Sequence, residues 1–425
     1  MNSILLKSKI ENGELNDKLT DIYGDILKLS HQRDRYINAI QTFENHYGDG
    51  EISIFSAPGR SEIGGNHTDH QHGEVLAASI NLDAIGIVKK TLDAVVRVVS
   101  DGYPEVVIDL ADLSLQEEEK ETTLSLVKGV LAGFAEHDLK IGGFNAYITS
   151  GVLIGAGLSS SAAFETLIGT ILSGLYNDME VAPVLIARIG QYAENVYFGK
   201  PCGLMDQMAC SVGGLIHIDF ENPKEPVVEK VDFDMSKAGY SLCITDTKGS
   251  HADLTHEYAA VPAEMKAVAA YFGKEVLRDV TEEDILVNIS DIREKSGDRS
   301  VLRALHFVNE NKRVEKEVAA LQKDDISEFL KTVKESGDSS YKYLQNVYSN
   351  SDVEHQNVSL ALAVSEIFLG ENGVCRVHGG GFAGTIQAFV KSDAAEKYCD
   401  YMNAVFGEGA CTVMQVRKYG GIQVL

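Results

Sequence analysis

Gly155-Ala156-Gly157-Leu158-Ser159-Ser160-Ser161-Ala162-Ala163 is the stretch on which the reading of this chain turns. It follows a strand-like run over 143–149 and opens a helix near Ser160. In that helix Ala163, Leu167, Ile171 and Leu175 fall at helical spacing, with Ile168 and Leu172 beside them. Glycine lets the backbone approach a ligand closely, and the first turn of a helix offers unpaired N–H donors at its positive dipole end. Serine hydroxyls there can bind phosphate or ligate Mg²⁺. The stretch is not a Walker A loop, because no Gly-Lys-Ser/Thr follows. A glycine turn with serine N-caps is the plain structural alternative.

Outward from this point the chain mixes helices and strands. Residues 15–47 read as a helical lead-in, and 52–109 turn to strands, with Ile85-Gly86-Ile87-Val88 and Val95-Val96-Arg97-Val98-Val99 rich in β-branched residues. A helix is expected over 123–136 and another opening at Pro183. A strand over 215–218 leads into an acidic connector at 219–230, which places a domain boundary between lobes 1–222 and 223–425. The second half reads as a strand over 241–245, several helices up to Leu369, a strand–glycine turn–strand unit, a helix and a last strand over 412–417. The pattern is α+β and lacks the regular alternation of a doubly wound sheet.

Composition narrows the function. The 425 residues are 44% hydrophobic and 24% charged, with no apolar run long enough for a signal peptide or a membrane span, so a cytoplasmic protein is expected. A net charge of −25 disfavours nucleic-acid binding, which needs a basic face. The six cysteines form no C-x-x-C pair and read as reduced, packed thiols.

Three further segments carry chemistry. The first runs Arg60-Ser61-Glu62-Ile63-Gly64-Gly65-Asn66-His67-Thr68-Asp69-His70-Gln71-His72-Gly73, too polar for a core strand. His67, Asp69, His70 and His72 suit either a zinc cluster or hydrogen bonding to a polyol. In the second, Glu194 stands before the Gly199/Pro201 break and Asp206 just after Gly203, a spacing that lets one carboxylate serve a metal and the other act as a base. The third, Arg376-Val377-His378-Gly379-Gly380-Gly381-Phe382-Ala383-Gly384, is either a tight turn or a loop approaching the phosphate-binding helix.

Together the four segments, in order, resemble the GHMP superfamily of small-molecule kinases, and within it the galactokinase family. The resemblance spans roughly residues 43–425. It implies a bilobal α+β fold with the active site between lobes, and an ATP- and Mg²⁺-dependent kinase acting on the anomeric hydroxyl of a galactose-like sugar. It implies Asp206 as catalytic base, Arg60 as its partner and a stabiliser of the phosphoryl group, and Ser161 with Glu194 as Mg²⁺ ligands. Gly155, Ala156, Gly157, Leu158, Ser159, Ser160 and Ser161 would bind ATP, while Asn66, His67, Asp69, Gly203 and Tyr258 would contact the sugar.

The departures from the family pattern concentrate in sugar recognition. Asn66 stands where the family carries a glutamate expected near the sugar's 6-hydroxyl, Leu153 replaces a proline and His378 a threonine. An amide at position 66 would tolerate a 6-carboxylate, so galacturonate is an alternative substrate, as is N-acetylgalactosamine. Asn66→Glu is then expected to favour galactose over galacturonate by roughly ten- to a hundredfold. A non-catalytic sugar sensor is a further alternative, opposed by the intact Ser161-Ala162.

Overall fold

The computed structural model describes residues 1–24, 29–152, 157–250 and 254–425, so Leu153, Gly155 and Ala156 lie outside the described residues. Three helices lead in: α1 (Ser3–Glu11), α2 (Asn16–Tyr23) and α3 (Leu29–Tyr47). Strands β1 (Ser53–Gly64), β2 (Glu74–Lys90), β3 (Val95–Ser100) and β4 (Val106–Asp109) follow, then α4 (Thr123–Glu136), β5 (Phe144–Ser150), α5 (Ser160–Tyr176), α6 (Pro183–Tyr192) and α7 (Met205–Val212). Next come β6 (Leu215–Asp219), β7 (Val227–Val231) and β8 (Tyr240–Asp246). A helical run follows: α8 (Thr255–Tyr271), α9 (Glu282–Val287), α10 (Ile289–Ser296), α11 (Asp298–Gln322), α12 (Ile326–Ser339) and α13 (Asn357–Leu369). The chain closes with β9 (Gly373–Val377), β10 (Thr385–Lys391), α14 (Ala395–Phe406), β11 (Cys411–Met414) and β12 (Ile422–Gln423).

The strands form two sheets. The larger runs β12-β1-β2-β5-β3-β4, with β6 on the first part of β2 and β7 on β6; among the described residues only β3 and β5 pair in parallel. The smaller runs β11-β8-β10-β9, antiparallel throughout. Alternation along β2 explains why helices cover both faces of the large sheet. Ile85 and Ile87 join the core under α1–α3, while Ala84 and Val88 join the core under α4–α6. Gly86 lets α5 settle onto the strand, since a Cβ there would meet Ile171 at 3.3 Å. A third core draws on both sheets, with Leu76, Ile80 and Leu158 packed among Phe329, Phe389 and Met414.

Part of the acidic connector is β7, which pairs with β6 in the large sheet, and β12 brings the far end of the chain back beside β1. A buried polar knot fastens that return. Asp83 on β2 is fully buried and accepts from Arg35 of α3 at 2.6 Å, from Tyr23 at 2.7 Å, from Arg417 at 3.0 Å and from Ser56. None of this was expected from the sequence, because its members come from four distant segments. Among the described residues, no helix is long and apolar enough to cross a membrane.

Candidate active site

Arg60 reaches the site through an irregularity in β1. The β1–β2 register shifts between Pro58 and Arg60, and a Cβ on Gly59 would lie 2.8 Å from the Leu158 carbonyl. Glycine there lets the Leu158 backbone lie against the strand, where Leu158 O accepts the Arg60 N–H at 3.1 Å. The guanidinium then grips Asp206 in the first turn of α7, with Nε to Oδ1 and Nη2 to Oδ2 both at 2.7 Å. This fork-on-carboxylate geometry fixes the orientation of both groups. Burial alone would raise the Asp206 pKa, but the Arg60 charge and hydrogen bonds from Arg60 and Ser159 hold it below the ordinary carboxylate value. The aspartate is therefore ionised at neutral pH, while a third of its side chain stays open to solvent.

The serine run divides its duties. Ser159 occupies the N-cap position of α5 at φ 58°, a left-handed conformation uncommon for a residue with a Cβ. Its hydroxyl does not cap the helix; it donates to Asp206 Oδ2. Simple N-capping is thereby set aside, and local strain is held where the carboxylate must be aimed. Gly157 offers its carbonyl to Arg60 Nη1. The Leu158 side chain is fully buried, so only its backbone can serve a ligand. Ser160 and Ser161 open α5 and face a cavity.

Ser161 Oγ lies 3.4 Å from Glu194 Oε1. Glu194 is almost fully buried because α6 ends in a π-helical turn, Ala193–Phe198, which rotates it inward. Lys200 approaches the same oxygen at 3.7 Å. A hydroxyl and a carboxylate at this spacing are hard oxygen ligands of the kind Mg²⁺ takes when substrate phosphates complete its shell. Among the described residues, no group of three or more His, Cys, Asp or Glu is placed to hold a metal, so the histidines of the polar loop do not assemble a zinc centre.

That loop closes the other side of the site. A Cβ on Gly203 would lie 2.3 Å from Asp69 Oδ2, so glycine is required for Asp69 to stand beside the start of α7. Burial raises the Asp69 pKa, and the nearby Asp206 charge adds to the rise. The desolvated His67 and His70 rings are held neutral, His70 at about 3. Asp69, Gly203 and Asp206 thus stand together, while His67 turns its Nε2 to the Gly380 carbonyl. Tyr258 on α8 stands across from them, its ring edge-on to Phe382 at 5.3 Å.

Asn66 requires a correction. Instead of facing a sugar, it is fully buried. Its Nδ2 donates to Glu62 Oε1 at 3.0 Å and to Gly379 O at 2.7 Å, and its Oδ1 accepts from Asn346 at 2.8 Å and Ser340 at 3.2 Å. With both donors and the acceptor engaged, nothing remains for a 6-hydroxyl or 6-carboxylate. Its role is to tie the polar loop to the glycine loop. Three successive carbonyls of that loop are held this way: Gly379 by Asn66, Gly380 by His67 at 3.0 Å and Gly381 by the Tyr258 hydroxyl at 2.8 Å. The start of the glycine loop also meets Gly157, where a Cβ would lie 3.3 Å from His378 Nδ1. Asn66→Glu is therefore expected to set a carboxylate against that of Glu62 and the Gly379 carbonyl. It should cost about 3–5 kcal/mol of stability and leave sugar preference unshifted. An unchanged unfolding midpoint with a shifted galactose-to-galacturonate ratio would return Asn66 to the sugar.

Sequence reasoning gave no place to the nucleotide base. A cavity of about 350 Å³ opens beside Ser160 and Ser161, lined by Leu126, Ile148, Val152 and Phe164 and closed by Phe198. Its walls come from separate elements, so no local motif marks it. Glu62, paired with the fully buried Arg376 at 2.6 Å beneath the polar loop, was also missed.

The fold and this set of side chains define a small-molecule kinase of the GHMP type. Residues 125–214 match the GHMP kinases N terminal domain, and residues 41–90 match the galactokinase galactose-binding signature. The chain belongs to the galactokinase family. It is 32% identical over 367 residues to the galactokinase of Actinobacillus pleuropneumoniae serotype 5b (strain L20), covering 84% of this chain and 90% of that protein. With the galactokinase of Streptomyces coelicolor it shares 29% identity over 390 residues, 91% of this chain and 97% of the relative. Among solved structures, Lactococcus lactis galactokinase complexed with galactose superposes with a TM-score of 0.76 at 24% identity, over 90% of this chain and 98% of that one. A mevalonate kinase gives 0.59 at 15% identity, over 86% and 99%.

Proposed function

We propose that this protein is an ATP-dependent galactose 1-kinase, producing galactose 1-phosphate and ADP. The observation that carries the reading is the two-pronged Arg60–Asp206 pair set at the mouth of α5, between the phosphate loop and the polar loop. The anomeric hydroxyl oxygen of the sugar bonds to the γ-phosphorus as the bond from phosphorus to the ADP oxygen breaks, and the hydroxyl proton passes to Asp206. Such transfer asks for in-line placement and charge neutralisation more than for covalent chemistry.

The residues divide that work. Arg60 keeps Asp206 ionised and faces the transferring group. The open N–H groups of the first turn of α5 receive phosphate oxygens, which matters in a chain of net charge −25. Ser161 and Glu194 would hold Mg²⁺, which when bound supplies positive charge to the phosphates. His67, Asp69, Gly203 and Tyr258 surround the sugar, and the cavity beside Phe164 takes the adenine. The intact Arg60, Asp206, Ser161 and Glu194 set favours catalysis over sugar sensing.

An ADP-release assay over galactose, galacturonate and N-acetylgalactosamine, with Mg²⁺ varied, tests this. Galactose is expected to give the highest kcat/KM, with product phosphorus on the C1 oxygen by NMR and turnover lost on chelation. Turnover of another sugar but not galactose would overturn the substrate, and activity unaffected by chelation would overturn the metal.

A further inference from the structure

We infer that Gln207 and Glu165 are positioning residues for Glu194, and that Gln207 couples the metal-facing carboxylate to the catalytic aspartate beside it in the chain. The inference rests on the metal role proposed for Glu194. Gln207 is fully buried on α7, one residue after Asp206. Its Nε2 donates to Glu194 Oε2 at 2.9 Å and to Glu165 Oε2 at 3.2 Å. A primary amide has two N–H donors on one nitrogen, so it can serve two carboxyl groups at once. Glu194 is thereby held by its inner oxygen, and its outer oxygen is left beside Ser161 and Lys200.

Glu165 fixes the amide in turn. It lies one helical turn after Ser161 on α5 and is 1% exposed, and its Oε1 has no partner among the described residues; nor does Gln207 Oε1. The amide is turned by what its nitrogen meets: the two carboxyl groups, with the Cys202 sulfur a longer third contact at 3.6 Å. Helix α6 leaves room for the cluster at Gly190, where a Cβ would stand 3.1 Å from Glu165 Oε2 and 3.2 Å from Gln207 Cγ. Glycine in a helix interior carries a conformational cost, consistent with space being required there. The arrangement joins α5, the π-helical turn and α7, the three elements that supply Ser161, Glu194 and Asp206. Outer partners of this kind typically change metal affinity 10–100-fold when removed.

The test measures binding of Mn²⁺ with ADP by electron paramagnetic resonance, alongside galactose binding by calorimetry and the Mg²⁺ dependence of kcat and KM. Gln207→Leu and Glu165→Leu are expected to weaken Mn²⁺·ADP binding by about ten- to a hundredfold with galactose affinity retained. Glu165→Gln, which keeps an acceptor for the Gln207 amide, is expected to restore binding to near the parent's. If Gln207→Leu does not fold, the Glu165→Leu and Glu165→Gln pair decides. Weakening by Glu194→Gln with parental binding in the leucine variants overturns the inference alone. Parental binding in Glu194→Gln overturns the metal role of Glu194 and the inference with it.

Discussion

Asp206→Asn is expected to lower kcat by about 10²–10⁴-fold, the usual consequence of removing a positioned base. Asparagine keeps the shape of the side chain but cannot take a proton from the sugar, and it loses the charge that pairs with Arg60. Because the Arg60 guanidinium retains the Gly157 carbonyl, it is not left without a partner. The chain should therefore fold, and galactose affinity should change little beside the loss of turnover. Stopped-flow and steady-state assays with galactose, together with calorimetric sugar binding, separate the two. Turnover near the parent's would remove Asp206 from the chemistry.

A stability effect as large as that of Asn66→Glu is expected far from the chemistry. Asp83→Ala leaves Arg35 and Arg417 without their shared carboxylate, and Arg417 is fully buried. Breaking a buried ion pair from one side typically costs about 3–5 kcal/mol. A urea titration of the parent and variant measures it, and a loss below about 1 kcal/mol, the scale of an exposed pair, would refute the assignment. The sign of the pH dependence follows from the same contacts. Burial pushes the Asp83 pKa up, but Arg35, Arg417 and Ser56 pull it below the ordinary aspartate value. Its contribution is present above the unfolded pKa of about 3.9 and disappears as pH falls through the lower folded value. The parent should lose stability in that acid range, and the variant should not show this component.

Much of the site was legible because its chemistry is local in sequence. The glycine–serine stretch and the start of α5 could be read from backbone rules, and so could the two carboxylates flanking the Gly199/Pro201 break. Asn66 was misread for a physical reason. An amide beside recognised sugar contacts looks like a sugar contact until its partners are seen, and these are Gly379, Ser340 and Asn346, far along the chain. Glu165 had a faint signal, as a carboxylate one turn past Ser161 in an otherwise apolar helix. The cavity beside Phe164 and the Asp83 knot had none, since each is assembled from side chains on distant elements. An acidic, loop-like composition hid β7, in which Glu229 and Lys230, on opposite faces, are both exposed and only Val231 is buried.

The return of the chain to the large sheet bears on how the protein is made. Arg60 is carried by β1, and β1 is flanked on one side by β12, with Ile54 bonded to Val424 and Leu425 through backbone hydrogen bonds. The partner of Asp83 that comes from this end, Arg417, is synthesised late as well. A nascent chain can therefore build α1–α7 and most of the sheet, yet the strand that carries Arg60 has an open edge until residues 422–425 pair with it. Such pairings between distant segments form slowly, and an unpaired edge is an invitation to aggregation. Chains lacking residues 422–425 should be prone to self-association, with Arg60 carried on an unpaired edge strand, so β12 acts as a late-added seal on the large sheet.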